Sequence, residues 1–154
     1  MEIKREITKK KDNQLFDMIQ YLQINIEYHP KEDHCINGIE ITDDYTRIDF
    51  YYRSYEKYIN GGWINIEPTS YIQPVGSDTK LKLTGVRNIP IAPLKHWFRR
   101  CGENFYYSLF FPAIPKSTTA INIVEMEKPG TYFNFYNVSV ISKPINVNKE
   151  LCAN

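Results

Sequence analysis

The chain has 154 residues, of which 42% are hydrophobic and 24% are charged, and its formal net charge is +1. A chain of this length can bury a core without metal or disulfides, so we expect one domain over residues 1–154, with 1–14 as a mobile tail. The small net charge argues against nucleic acid and against an anionic membrane surface as partners. The sequence contains no apolar run of about 18 residues, so no transmembrane helix is predicted.

Short segments in which apolar and polar residues alternate dominate the chain, and this alternation is typical of strands with one buried face. The 12 Tyr and 8 Phe also favour β-structure. We predict strands, in chain order, at residues 21–28, 45–55, 62–68, 79–86, 105–111, 120–125 and 132–141. The nearly all-apolar segment 105–111 is expected to be a central strand. Two short helices are predicted at 13–21 and 93–100.

Glycine, proline and asparagine mark the connections between these segments. Hairpin turns are predicted at 59–62, 74–78 and 128–130. The segment 111–119 contains two prolines, which central strands exclude, so we expect it to cross from one sheet to another. Seven or eight short strands with such turns predict an all-β fold, an antiparallel immunoglobulin-like β-sandwich, with a barrel as the alternative.

Four segments in a fixed order resemble a known group of proteins. They are GGWINIEP (61–68), NIPIAPLKHWF (88–98), FYYSLFFPAIPKSTTAINIVE (105–125) and FNFYNVSV (133–140). In this order the chain resembles a group of uncharacterised bacterial β-sandwich domains, over residues 45–141. The resemblance implies an immunoglobulin-like fold, often found in envelope or accessory proteins, and it carries over no functional residues.

Catalytic and metal-binding patterns are weak in this sequence. His29, His34 and Cys35 stand close together, but their spacing lacks a CxxC partner, so we predict no metal site and no cofactor. Cys101 follows two arginines, which lower a thiol pKa, and lies five residues after His96. No cysteine-protease signature or glycine-rich phosphate loop accompanies it. We expect no enzyme, and a metal- or thiol-dependent enzyme ranks third among the functions. Its residues would be His29, His34, His96 and Cys101.

The strand 45–55 predicts a surface on which aromatic and charged side chains alternate. If Trp63 faces the same way, aromatic rings and arginines share one surface, to which the loop 88–101 adds further side chains. Cross-strand pairs of this kind stabilise a sheet by themselves. Tyr, Trp and Arg are also enriched in protein interfaces, and aromatic rings stack on flat ligands. The predicted binding residues are Tyr45, Arg47, Tyr51, Arg53, Tyr55, Trp63, His96, Trp97 and Arg99.

These observations predict a non-catalytic interaction or accessory module. It would recognise a partner, in the first place a protein, through this sheet face and the adjoining loop. The alternative is a carbohydrate-binding module that uses Tyr51, Tyr55 and Trp63 as a stacking platform.

The three cysteines, Cys35, Cys101 and Cys152, are odd in number and widely spaced. They therefore predict no disulfide framework and favour a reducing compartment. No apolar segment of the kind that export signals contain follows the basic N-terminal residues. We expect a cytoplasmic protein, or an envelope or exported protein if the chain is a trimmed form.

Overall fold

The computed structural model describes residues 19–20, 33–54, 58–130 and 132–140. This part of the chain is all-β, its sheets are antiparallel, and no helix in it is long and apolar enough to cross a membrane. The strand predicted at 21–28 and the tail at 1–14 lie outside the described residues. The helix prediction at 13–21 is wrong where it can be compared, because Ile19–Gln20 form a strand.

The described residues form eleven strands, four of which have only two residues. They are β1 (Ile19–Gln20), β2 (His34–Ile41), β3 (Tyr45–Arg53), β4 (Trp63–Ile64), β5 (Tyr71–Pro74), β6 (Leu81–Lys82), β7 (Gly85–Arg87), β8 (His96–Trp97), β9 (Asn104–Pro112), β10 (Ala120–Val124) and β11 (Phe135–Ser139). One sheet has the order β1-β2-β3-β9-β7, a second has the order β11-β10-β5-β6, and β4 pairs with β8 in a two-stranded ribbon.

Strand β3 shows how the alternation in the sequence builds the sandwich. Ile48, Phe50 and Tyr52 are buried, whereas Asp49 and Tyr51 between them are partly exposed. The buried residues join a core to which both larger sheets contribute. Strand β9 lies between β3 and β7, which confirms the prediction of a central strand at 105–111. The proline-containing segment after it crosses to β10 in the second sheet, as predicted.

Two segments differ from the prediction because the strands involved pair in different sheets. The segment 79–86 does not form one strand, since Leu81 pairs with Ile72 while Gly85 pairs with Phe110 in the other sheet. The segment 59–62 forms a 3₁₀ turn between two sheets rather than a hairpin. The turn at 74–78 does connect a hairpin, β5–β6.

Two further differences from the prediction concern β8 and β2. The segment 93–100 is not a helix, because His96 and Trp97 pair with β4, after a cis peptide bond before Pro93. Strand β2, which begins at His34 and pairs with β3 as far as Ile41, was not predicted. Strand β2 was missed because a bulge between Ile36 and Gly38 interrupts its alternation.

Candidate functional site

The outer face of β3 presents the side chains that the sequence predicted. Tyr45, Arg47 and Tyr51 are partly exposed, and Arg53 is exposed. Tyr55 lies outside the described residues. The structure thus places these four side chains on the side of the sheet opposite the core.

Most polar groups on this face are satisfied by one another. Arg47 forms ion pairs with Glu40 at 3.3 Å and Asp49 at 3.1 Å, and Ser108 donates a hydrogen bond to Asp49 at 2.6 Å. Tyr45 donates a hydrogen bond to Glu40, which raises the pKa of the Tyr45 hydroxyl. These cross-strand pairs stabilise the sheet and leave little polar capacity for a ligand.

The far end of the face is different. The Tyr51 ring packs at a tilt against Tyr106, an exposed residue of β9, with the ring centroids 5.2 Å apart, and its hydroxyl donates a hydrogen bond of 2.8 Å to Asn104. Burial and the neighbouring Tyr106 raise the pKa of Tyr51. Arg53 follows at the edge, close to Gly102. Aromatic and cationic groups therefore meet where the sheet reaches the loop at 99–103.

Trp63 does not share the outer face, contrary to the expectation. It lies on the ribbon β4–β8 directly opposite Trp97, with the two ring centroids 6.4 Å apart. The Lys95 ammonium lies 4.2 Å from the Trp63 ring centroid and 5.6 Å from that of Trp97. Trp63 is 44% exposed and Trp97 is 63% exposed. We call Trp63, Lys95 and Trp97 the tryptophan ribbon.

The other two predicted loop residues have structural roles beside the ribbon. The His96 ring packs against Phe98 at 5.1 Å and Phe105 at 4.7 Å. The backbone N–H of Arg99 donates a hydrogen bond of 2.8 Å to Glu103, and the Arg99 side chain is exposed. The loop thus holds the ribbon in place through its histidine and its backbone.

Gly61 lies tightly between the loop at 99–103 and Ser54, the residue that follows β3. Its φ is +85°, and a Cβ there would lie 2.7 Å from the Arg100 carbonyl oxygen and 2.8 Å from Ser54 Cβ. We expect Gly61→Ala to lower the free energy of unfolding by about 3 kcal/mol, because both the backbone and the contacts are strained. Gly76 has a φ of +87° and nothing within 4 Å, so Gly76→Ala should cost about 1 kcal/mol. Urea unfolding of both variants measures the difference, and equal losses would show that crowding is unimportant.

A cleft of about 460 Å³ opens beside the ribbon, at the end of the sandwich where β3 and β10 end and β11 begins. Its size falls within the range of small-molecule sites. Its described lining is mainly aromatic and acidic. The lining residues are Tyr52, Tyr58, Gly62, Trp63, Asn65, Glu67, Glu125, Gly130, Tyr132 and Phe133.

Glu125 is the exceptional side chain of this cleft. It is only 6% exposed, and its Oε2 atom has no hydrogen-bond partner among the described residues. Burial raises the pKa of Glu125 to about 8, the neighbouring charge of Glu67 adds to the rise, and a hydrogen bond from the Phe133 backbone opposes it. A buried carboxyl with such a pKa is a frequent mark of a functional site.

Sequence reasoning missed Glu125 and Glu67. Each directly follows a buried apolar residue, Val124 and Ile66 respectively. An acid directly after a buried apolar residue was therefore the available signal. Their proximity was not visible, because the two segments meet only through packing at this end of the sandwich.

A buried polar pair lies behind the cleft. His34 Nε2 and the Tyr107 hydroxyl form a hydrogen bond of 2.7 Å, within a cluster of aromatic rings. Burial raises the pKa of Tyr107 well above its ordinary value, and the charge of Glu125 contributes. A cavity of about 10 Å³, roughly the space one water molecule needs, is lined by both Tyr107 and Glu125.

The described residues of the third-ranked enzyme alternative do not form a common cluster. His34 is buried against Tyr107, while Cys101 is exposed and its thiol contacts the Tyr58 carbonyl oxygen at 3.6 Å. No hydrogen bond joins Cys101 to His96 in the described part of the chain. His29 lies outside that part, in which no cluster of three metal-binding side chains occurs.

Cys35 is disulfide-bonded, and it is buried in β2. The sequence did not predict this disulfide, because the cysteines are odd in number and widely spaced. Cys101 is a free thiol.

No family model, curated protein or solved structure matches the chain.

Proposed function

We propose that this protein is a non-catalytic interaction module that binds a protein partner through the tryptophan ribbon. The exposed Trp63–Trp97 pair is the observation that carries the proposal. Large aromatic side chains that are exposed in a free protein are often the centre of an interface, where they contribute most of the binding energy. Leu94, next to the ribbon, is 69% exposed and extends the apolar surface.

The charges around the ribbon indicate the chemistry of the partner. Lys95, Arg99 and Arg100 are exposed, and Glu103 accepts hydrogen bonds from the backbone N–H groups of both arginines. The surface is therefore apolar at its centre and basic at its edge. The partner should present an apolar patch with acidic groups around it, because such complementarity speeds association and excludes other partners.

The outer face of β3 has a smaller role in this proposal than the sequence suggested. Its arginine at position 47 is engaged by two carboxylates. Only the end of the face, with Tyr51, Arg53 and Tyr106, reaches the loop at 99–103. These residues would form the margin of the interface.

We also propose the finer architecture and setting of the module. Two antiparallel sheets with a crossing between them support an immunoglobulin-like sandwich of the kind found in bacterial accessory domains. The disulfide at Cys35 supports the envelope or exported location over the cytoplasmic one, because disulfides persist in oxidising compartments.

A Trp97→Ala variant tests the ribbon once a partner has been isolated by cross-linking. We expect the affinity of the purified pair to fall by about 30-fold or more, which is typical of an interface hot spot. The folded state should tolerate the change, because Trp97 is largely exposed. Isothermal titration calorimetry measures the affinity.

Tyr136→Ala is the matched control, since Tyr136 is an exposed aromatic residue of β11, outside the ribbon. Its affinity should equal that of the parent. Equal affinity of parent and Trp97→Ala would contradict the proposal. Weaker binding at higher salt is expected in addition, because rim charges are screened.

A further inference from the structure

The cleft beside the tryptophan ribbon has an unbalanced charge. Its described lining contains two carboxyl groups, Glu67 and Glu125, and no lysine, arginine or histidine. The only amide in that lining, Asn65, already donates a hydrogen bond of 2.9 Å to the Leu94 carbonyl. The charged groups that this lining offers a ligand are therefore both acids.

Glu125 is the side chain that most needs a partner. More than nine-tenths of it is buried, and Oε2 has no hydrogen-bond donor in the described structure. A buried carboxylate is stable only when an opposite charge or several donors compensate for the lost water. A cationic group in the cleft would supply that charge.

The aromatic lining suits an organic cation better than a metal ion. Tyr58, Trp63, Tyr132 and Phe133 contribute rings, and ring faces attract ammonium groups that carry alkyl substituents. Trp63 already holds the ammonium of Lys95 at 4.2 Å. Ring and carboxylate together would therefore satisfy both the alkyl part and the charge of such a ligand.

We propose that this cleft binds an organic ammonium group, with Glu125 and Glu67 balancing its charge and the aromatic rings enclosing its alkyl groups. The volume of about 460 Å³ accommodates a small molecule or one long side chain. The site adjoins the proposed protein interface, because Trp63 belongs to the ribbon and also lines the cleft. Choline binding is measured without the protein partner, so its result does not depend on the proposed interface.

Choline and its uncharged carbon isostere, 3,3-dimethylbutan-1-ol, test the charge requirement. We expect choline to bind the full chain saturably at pH 9 with one site, and the isostere to bind at least about tenfold more weakly. Isothermal titration calorimetry and tryptophan fluorescence measure the binding. Equal affinities would overturn the proposal, since apolar contact alone would then explain binding.

Glu125→Gln tests the assigned carboxylate while keeping the volume of the side chain. The variant should bind choline at least about tenfold more weakly than the parent at pH 9. Glu67→Gln should show a smaller loss, because Glu67 is more exposed. Glu127→Gln is the matched control, since Glu127 is paired with Lys80 and Tyr71 outside the cleft lining. A normal affinity of Glu125→Gln would overturn the assignment.

The pH profile separates the role of this carboxylate from a structural one. Choline does not titrate, and the pKa of Glu125 is raised to about 8. If only the ionised carboxylate binds, affinity should fall by up to about 100-fold from pH 9 to pH 6. In Glu125→Gln the profile should be nearly flat, and a parental profile in this variant would contradict the proposal.

Other titratable and charged groups near the cleft can also change the affinity for choline with pH. Glu67 and Tyr107 influence Glu125 or are influenced by it. Lys95 lies over Trp63 at the rim. The tyrosines of the lining are Tyr52, Tyr58 and Tyr132. The comparison with Glu125→Gln removes their common contribution from the profile.

The ammonium group has two sources, a free small molecule or a lysine side chain, and a second pair of probes distinguishes them. Tighter binding of n-butylammonium than of a lysine-containing peptide indicates a free amine. Tighter binding of the peptide indicates a polypeptide lysine. Both results support the site. Binding of neutral disaccharides without binding of any ammonium probe would overturn it and identify a carbohydrate cleft.

Discussion

The Glu125→Gln variant will unfold less readily than the parent protein at pH 9, by on the order of 4 kcal/mol, and this difference will disappear near pH 4. The reason is the pKa of Glu125, which burial raises from an ordinary 4.5 to about 8. Each unit of difference between folded and unfolded pKa is worth about 1.4 kcal/mol.

The direction of the effect follows from proton binding. The folded chain holds the Glu125 proton more tightly than the unfolded chain, so the parent is most stable below pH 4.5 with respect to this group. Its free energy of unfolding then falls as pH rises, until the folded carboxyl has ionised above about pH 8. Glutamine stays neutral throughout and retains an oxygen that can accept the Phe133 backbone hydrogen bond.

Urea unfolding of parent and variant between pH 4 and pH 9 measures this difference. Other groups titrate in the same interval, but they affect both proteins and cancel in the comparison. Glu127→Gln serves as control, because interactions with Lys80 and Tyr71 lower the pKa of Glu127 and its change should not reproduce the profile. If the free energies of unfolding of parent and Glu125→Gln differed by the same amount at all pH values, the pKa of Glu125 would not be raised in the folded protein.

Phe50→Ala should destabilise the protein by about 4 kcal/mol, the second large effect. Phe50 is 2% exposed and stacks on Tyr107 with ring centroids 4.9 Å apart and nearly parallel planes. It also contacts His34 and Phe135, which belong to different sheets. Removing the ring therefore leaves a cavity between the sheets and removes a support for the His34–Tyr107 pair.

Tyr51→Ala is the matched control on the same strand. Tyr51 points to the outer face, where it contacts Tyr106 and bonds Asn104. Its loss should cost about 1 kcal/mol, as for other cross-strand pairs. Denaturant midpoints and unfolding slopes of both variants provide the measurement. Similar losses in the two variants would mean that β3 does not have one buried and one solvated face.

The proposed binding regions lie at one end of the structure and are supported by its core. The core around Phe50 holds the two sheets together, while the ribbon and the cleft lie at one end. The aromatic cluster around His34 reaches Phe133, which also lines the cleft. The walls of the cleft are thus continuous with the core, which favours a preformed site over one that must be ordered on binding.

The local pattern of residues was sufficient for the strands that contain their own alternation. Residues 45–53 form a strand with the predicted buried and outward side chains, and residues 105–111 lie in the centre of a sheet. The prolines after Phe111 predicted the crossing to the second sheet. Each of these conclusions depends on backbone geometry within a few residues. The local residue pattern determines that geometry.

Long-range pairing decided the rest. Residues 93–100 carry no local signal for a strand, and His96–Trp97 extend because β4 supplies their hydrogen-bonding partner. Trp63 does not lie on the predicted face, because its strand pairs with β8 instead of β3.

Sequence by itself determined an antiparallel all-β protein, the outward residues of β3 and the exposed aromatic loop. Only the tertiary structure brought Glu67 and Glu125 into one aromatic cleft and left Cys101 exposed beside Tyr58. The reason is that alternation specifies which way a side chain points, whereas a site depends on which strand ends meet. That meeting is set by packing between segments far apart in the chain.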